Sequence, residues 1–298
     1  AALERKPITG RVPTFELVFY LTMEVFGKMH PEHRKYPQWD QMETKEQDLQ
    51  ILDVAQLYVD IARKYEHSAI FVQPTMPDLE SFMRLLDAIR DISDDEYFLG
   101  THGDPTFSLP DGEHMAEFSY KIADDPQALL DEAQRRVDWH LEMAQKLANH
   151  GQLDGFFMCA DYCFNTGPFL SPRLFRKYVT PFLTQTITAY REMGFYAVKH
   201  TDGNIMPILD QLVEANPHAL HSIDPMAGVD IAEVKRLVGN KVCLIGNVDC
   251  SKLDTGPDEE VIQSTRYALQ SGMPGGGYIF STSNCVYTGM PLRRYELM

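Results

Sequence analysis

Eight short apolar runs recur along the chain, separated by helix-length stretches, and nearly every run leads into a polar, chemically useful residue. The first four cover residues 12–19 (Glu16 within), 69–72 (then Gln73), 97–100 (then His102) and 156–160 (then Asp161). The last four cover 196–199 (His200, Asp202), 219–223 (His221, Asp224), 242–245 (Asn247, Asp249) and 278–281 (Asn284, Cys285). Strands that alternate with helices predict an α/β fold with a parallel sheet. Eight such units close most naturally into a (β/α)8 TIM barrel, whose active site lies at the carboxyl ends of the strands.

A chain of 298 residues can bury one barrel core or split into smaller domains. No repeat, low-complexity tract or interdomain linker interrupts it, so residues 1–298 read as one domain. The pattern of the eighth helix is cut at Met298, which reads as a truncated C-terminal element. A net charge of −16, from 43 acids against 27 Lys and Arg, argues against nucleic acid or an anionic membrane as the main partner. The same balance weakens a polyanionic substrate unless a local basic pocket exists. The five cysteines form no CxxC pair and no short disulfide framework, so they read as free thiols in a reducing cytoplasm. No apolar run approaches the roughly 20 residues that span a bilayer, and Ala1-Ala2-Leu3 opens no signal-peptide pattern.

Residues 27–47 have no clean period and read as a long loop after the first strand. A helix is expected over residues 45–65, with Leu49, Leu52, Val54, Ala55, Val59 and Ile61 on its apolar face. Asp125-Pro126, Ser171-Pro172 and Asn204 before Pro207 mark helix starts, and Asp230 with Glu233 resembles a capping box. Gly194 ends the helix that begins at Ser171, and Gly275, Gly276 and Gly277 break the chain before the eighth strand. This triplet precedes a strand, so it lacks the helix N-terminus of a phosphate loop.

Three stretches concentrate reactive groups. His200 and Asp202 stand two apart at a strand end and share a face there, so they can bind a divalent metal or act as acid and base. The alternative is a His held by backbone bonds and an Asp that caps the next helix. Asp161 leaves the fourth strand as an acid, base or positioning carboxylate, or as a loop-ordering Asp. Beside it, Tyr162 reads as substrate wall or barrel cover, Asn165 as a substrate contact, and Cys163 as a small buried hydrophobe. Near the end, Cys285 is a candidate thiolate ligand that would meet His200 across the barrel mouth, with Asn284 before it as a substrate contact. Glu16, Gln73, His102, His221, Asp224 and Asn247 are read as substrate-lining groups at the other strand exits.

Four stretches resemble the uroporphyrinogen decarboxylase superfamily, which also contains zinc-dependent, corrinoid-linked methyltransferases. They are Asp161 through Gly167-Pro168-Phe169-Leu170-Ser171-Pro172-Arg173-Leu174-Phe175; His200-Thr201-Asp202-Gly203-Asn204-Ile205; Ile245-Gly246-Asn247-Val248-Asp249; and Gly275-Gly276-Gly277-Tyr278-Ile279 running into Ser283-Asn284-Cys285. The likeness extends from about Arg11 to the end and implies a (β/α)8 barrel. The decarboxylases of that family carry an Arg-rich segment after the first strand that grips the substrate's carboxylates. Here Phe15-Glu16-Leu17-Val18-Phe19-Tyr20 stands in its place, and the usual His of the last motif is absent. The methyltransferases bind zinc through His-x-Cys and a later Cys. This chain keeps His200, has Asp202 at the first Cys, and offers Asn284 or Cys285 for the second.

The resemblance therefore implies a methyltransferase that moves a methyl group from a small methoxylated or methylated substrate to the cobalt of a corrinoid (cobalamin) on a partner protein. Asp161, His200 and Asp202 would be catalytic, and His200, Asp202 and Cys285 would hold zinc. Relatives pair, so a homodimer is expected. A decarboxylase acting on a porphyrinogen or smaller carboxylate, and a non-catalytic barrel that binds corrinoid or a small ligand, are the alternatives.

Overall fold

Runs of β-branched and aromatic residues bounded by Gly, Pro and Asp become strands because both faces of a parallel sheet are covered. The computed structural model describes residues 1–298 and contains seven such strands in one parallel sheet. They are β1 (Ala69–Val72), β2 (Phe98–His102), β3 (Gly155–Cys159), β6 (Tyr196–His200), β7 (Ala219–His221), β8 (Cys243–Val248) and β9 (Tyr278–Thr282), in that order across the sheet. Between β3 and β6, β4 (Cys163–Phe164) and β5 (Gly167–Pro168) form a small antiparallel hairpin that the apolar pattern did not announce.

The first apolar run differs from the expectation. Residues 13–19 make isolated bridges, Thr14 to Phe280 and Phe19 to Val286, rather than a ladder. Phe15 N–H donates to Phe280 O at 3.0 Å and Phe280 N–H to Pro13 O at 2.8 Å, while Ser68 N–H donates to Thr14 O at 2.7 Å. The segment thus bonds to β9 on one side and to the residue before β1 on the other. Two local causes break the ladder: Pro13 has no N–H to give, and Thr282 N–H is taken by the Glu16 side chain at 3.3 Å.

Alternate strand residues divide the core. Ile70, Val72, Leu99, Phe156, Met158, Ala197, Leu220 and Leu244 pack outward against helices. Phe71, Phe157, Val198, Ala219, Cys243 and Ile245 point inward with Phe15 and Leu17. Phe15 stacks on Phe157 of β3 with ring centroids 4.7 Å apart, which shows how far the sheet curls. The arrangement is a single-domain, TIM-barrel-like α/β fold.

The helix Thr44–Tyr65 starts at a capping box of Glu43 and Glu46 and buries Ile51, Val54, Ala55, Tyr58 and Ala62. Leu49 and Leu52, expected on that face, lie about half exposed beside the buried stripe. The supposed loop 27–47 holds two short 3-10 turns, Pro31–His33 and Trp39–Gln41. Asp125 caps the long helix Pro126–His150 as expected. The helix after Ser171 is broken into Pro172–Tyr178 and Thr180–Glu192, with Pro181 in the first turn of the second piece. A helix at Met115–Asp124 escaped the sequence reading because it buries none of its residues. No helix is long and apolar enough to cross a membrane.

Candidate active site at the carboxyl ends of the strands

Register places the central side chains. In the β6–β7 pair His200 lies opposite His221, and in β3–β6 Cys159 lies opposite His200. Cross-strand partners in a parallel sheet point to the same face, so the two imidazoles meet, Nδ1 to Nδ1, at 2.7 Å. Asp161 follows β3 and Asp202 follows β6. The Asp202 N–H donates to Asp161 Oδ1 at 2.9 Å, which ties the two exits together.

His200 Nε2 stands 3.7 Å from Asp161 Oδ1 and 3.8 Å from Asp202 Oδ1. One ligand atom from each of the three residues falls within 4.8 Å of the others. Asp202 Oδ1 is buried without a hydrogen-bond partner, while its other oxygen accepts from Asn284 Nδ2. Burial and the charge of Asp161 push the Asp202 carboxyl up to about 7. Burial, helped by the nearby Lys199 ammonium, draws His200 down to about 3, so its ring is neutral at physiological pH. Burial, then His200 itself, holds His221 well below the ordinary range.

An imidazole nitrogen and two carboxylates form an N/O donor set that suits zinc or a similar divalent ion. Ligands about 2 Å from a tetrahedral ion stand roughly 3.3 Å apart, close to the observed 3.7 and 3.8 Å. The residues present therefore fit a cation. Cys285 is not in the cluster: it is buried, burial raises its thiol strongly, and its carbonyl accepts from Cys250 Sγ at 3.6 Å. Asp161 takes the place in the donor set that the sequence reading gave to Cys285.

Several expected lining residues are held elsewhere. Asp224 caps the turn Pro225–Ala227 and accepts from Gly203 N–H at 3.2 Å and Met226 N–H at 2.9 Å, so it orders loops. Asn247 donates to Ile223 O at 2.8 Å. Glu16 accepts from Thr282 Oγ1 at 2.6 Å, and burial pushes its carboxyl up to about 8. Glu16 and Gln73 line a cavity of about 30 Å³ beside Tyr58 and His67. Asn165 is exposed between the strands of the β4–β5 hairpin. His102 ends β2, half-buried and drawn below its usual range by burial.

Tyr162 is no substrate wall. It is 4% exposed, its hydroxyl lies 2.6 Å from Thr106 Oγ1, and its ring faces Lys199 Nζ at 4.1 Å from the centroid. Lys199 itself was missed. It is fully buried and paired with Asp104 Oδ2 at 2.6 Å, and it also donates to Met158 O at 3.0 Å and Ala160 O at 2.9 Å. Burial would raise Asp104, but the Lys199 charge and the Thr106 bonds hold it below the usual carboxylate range. The one sequence signal was a lysine inside an apolar strand.

Comparison with known proteins bears on the family and the fold. A curated uroporphyrinogen decarboxylase from Shewanella loihica is 30% identical over 118 residues, 34% of this chain and 32% of that protein. The match thus spans about a third of the curated relative's length. The structure of a methyltransferase from Methanosarcina mazei superposes with a TM-score of 0.73 at 16% identity, covering 99% of this chain and 94% of the other. At that identity the likeness speaks for the fold. The model of the uroporphyrinogen decarboxylase (URO-D) family matches residues 116–298, the part that carries Asp161, His200, Asp202 and Asn284, and the chain belongs to that family.

Proposed function

We propose that this protein is a methyltransferase that takes a methyl group from a small methylated or methoxylated substrate and delivers it to the corrinoid of a separate partner protein. The observation that carries the reading is the Asp161–His200–Asp202 cluster, with His200 buried and both carboxylates partly exposed, and an unpartnered buried Asp202 oxygen. We read residues 13–20 as the stave that completes the ring, so that all strand ends share one rim.

When a methyl group leaves, the atom it leaves keeps the electron pair of the broken bond and must be neutralised. With no cation bound, Asp202, pushed up to about 7, holds a proton part of the time near neutral pH and stands where it can give it to that atom. A divalent cation held by Asp161, His200 and the ionised Asp202 would take the place of that proton and supply Lewis-acid stabilisation there. Asn284 fixes the Asp202 carboxylate through its Nδ2, and Asp224 fixes the Gly203 turn. The open rim would dock the corrinoid protein, and a homodimer remains part of the proposal.

The test is spectroscopic. The protein is mixed with reduced cobalamin and a panel of methyl ethers, methylamines and methyl thioethers, and formation of the methylated corrinoid is followed. No methylation with any donor, together with carbon dioxide release from uroporphyrinogen, replaces this reading with a decarboxylase. The local match to a decarboxylase favours that second reading; the absence of any arginine between residues 12 and 20 disfavours it. Ligand binding unchanged in Asp161→Asn and His200→Ala, without turnover in any of the proteins, indicates a non-catalytic barrel. Zinc analysis of protein purified without chelator, repeated on His200→Ala, tests the cation.

A further inference from the structure

We propose that His221 is a positioning residue that sets the tautomer of His200, so that the bare Nε2 of His200 faces Asp161 and Asp202. The inference deepens the reading in which those three residues hold a cation, and it rests on that reading for its purpose.

The hydrogens can be placed from the partners. His221 Nε2 lies 3.4 Å from the Thr282 carbonyl oxygen. A carbonyl only accepts, so this nitrogen carries the hydrogen. A neutral imidazole carries one hydrogen, which leaves His221 Nδ1 with a lone pair. The 2.7 Å contact between the two Nδ1 atoms needs one donor, and that donor is His200. His200 Nε2 is then unprotonated. It points at two carboxylate oxygens 3.7 and 3.8 Å away, too far for a direct hydrogen bond. With Asp202 ionised, as a ligand must be, three acceptors thus share one space with no donor among them, an arrangement that a positive ion resolves. The relay runs from β9 through β7 to β6, so the backbone of one strand dictates the protonation of a side chain three strands away.

Long-range proton–nitrogen correlation spectra of the 15N-histidine-labelled, chelator-treated protein read the tautomers directly. The expected result is Nδ1–H on His200 and Nε2–H on His221. Nε2–H on His200 overturns the proposal. The second measurement is zinc affinity by competition with a chromophoric chelator. His221→Leu removes the acceptor and is expected to weaken zinc binding about 10- to 100-fold. His221→Asn, whose Oδ1 falls near the Nδ1 position, is expected to restore the His200 tautomer and much of the affinity. Equal zinc affinity in wild type and His221→Leu overturns the positioning role. Wild-type protein with the expected tautomers and no zinc binding at all upholds the relay and removes the cation reading, so the two failures are distinct.

Discussion

Lys199 and His200 are neighbours on β6, yet the polar clusters they join differ in kind. The Lys199 ammonium has three donors and finds three acceptors, Asp104 Oδ2, Met158 O and Ala160 O, at 2.6 to 3.0 Å. Thr106 completes Asp104, with its N–H at 2.9 Å and its hydroxyl at 2.5 Å. One residue on, the His200 cluster holds acceptors that face each other and a carboxylate oxygen with no partner. The Lys199 pair is fully buried, whereas in the other cluster His200 is buried and its carboxylates are partly exposed; both sit near the strand exits. A buried polar network that is fully satisfied rigidifies the fold, whereas one left incomplete is a place for something else to bind. The contrast separates scaffold from site without reference to any relative.

The largest effect expected from this contrast is on the satisfied side. Lys199→Met leaves the Asp104 carboxylate buried without its counter-charge, and breaking one half of such a pair destabilises by about 3–5 kcal/mol. Joining it to Asp104→Leu removes the orphaned charge and is expected to recover more than half of that loss. Denaturant unfolding of the two variants checks both. A single variant as stable as wild type would mean that the Lys199 network is not scaffold, and the contrast would collapse.

Glu16 gives an intermediate effect. Its carboxyl titrates near 4.5 when unfolded and is pushed up to about 8 in the fold, chiefly by burial. The raised value favours the proton-bound folded state. The stabilisation is full below about 4.5, declines as pH rises and is gone above about 8. Over that window the slope approaches about 1.4 kcal/mol per pH unit for one proton. Glu16→Gln cannot titrate, so its stability is expected to fall less between pH 5 and 8 than that of wild type. Parallel curves for the two proteins would show that Glu16 is ionised in the fold.

Much of this architecture can be read from the sequence because buried parallel strands are written as apolar runs. β1, β3, β8 and β9 fall where such runs stand. Asp161, His200 and Asp202 are equally legible, since polar residues just after such runs must sit at strand exits. What escapes is set by register. Nothing local says that His221 lies opposite His200, or that Lys199 reaches Asp104 across 95 positions. For the same reason Tyr162 passes for a substrate wall although an ammonium and the Phe175 ring enclose it. Cys285 looks like a ligand in sequence because its distance from His200 is invisible there, and the Asp161 carboxylate stands in the place expected for it.

The smallest effect on stability is expected where the effect on chemistry is large. Asp202→Asn keeps the shape of the side chain and removes one of two like charges. Its carbonyl oxygen can accept from Asn284 Nδ2, as Asp202 Oδ2 does now. Its amide nitrogen would then face His200 Nε2 and Asp161 Oδ1, supplying the donor that the cluster lacks. Unfolding free energy is therefore expected to stay within about 1 kcal/mol of wild type or to rise, as when a buried polar group gains a partner. Bound zinc and methyl transfer are expected to drop by about 100-fold or more, since the anionic ligand is lost. Differential scanning calorimetry and metal analysis on the same sample read both quantities. A stability loss as large as that of Lys199→Met would show that the His200 cluster is complete as it stands, and the distinction between the two faces of β6 would be lost.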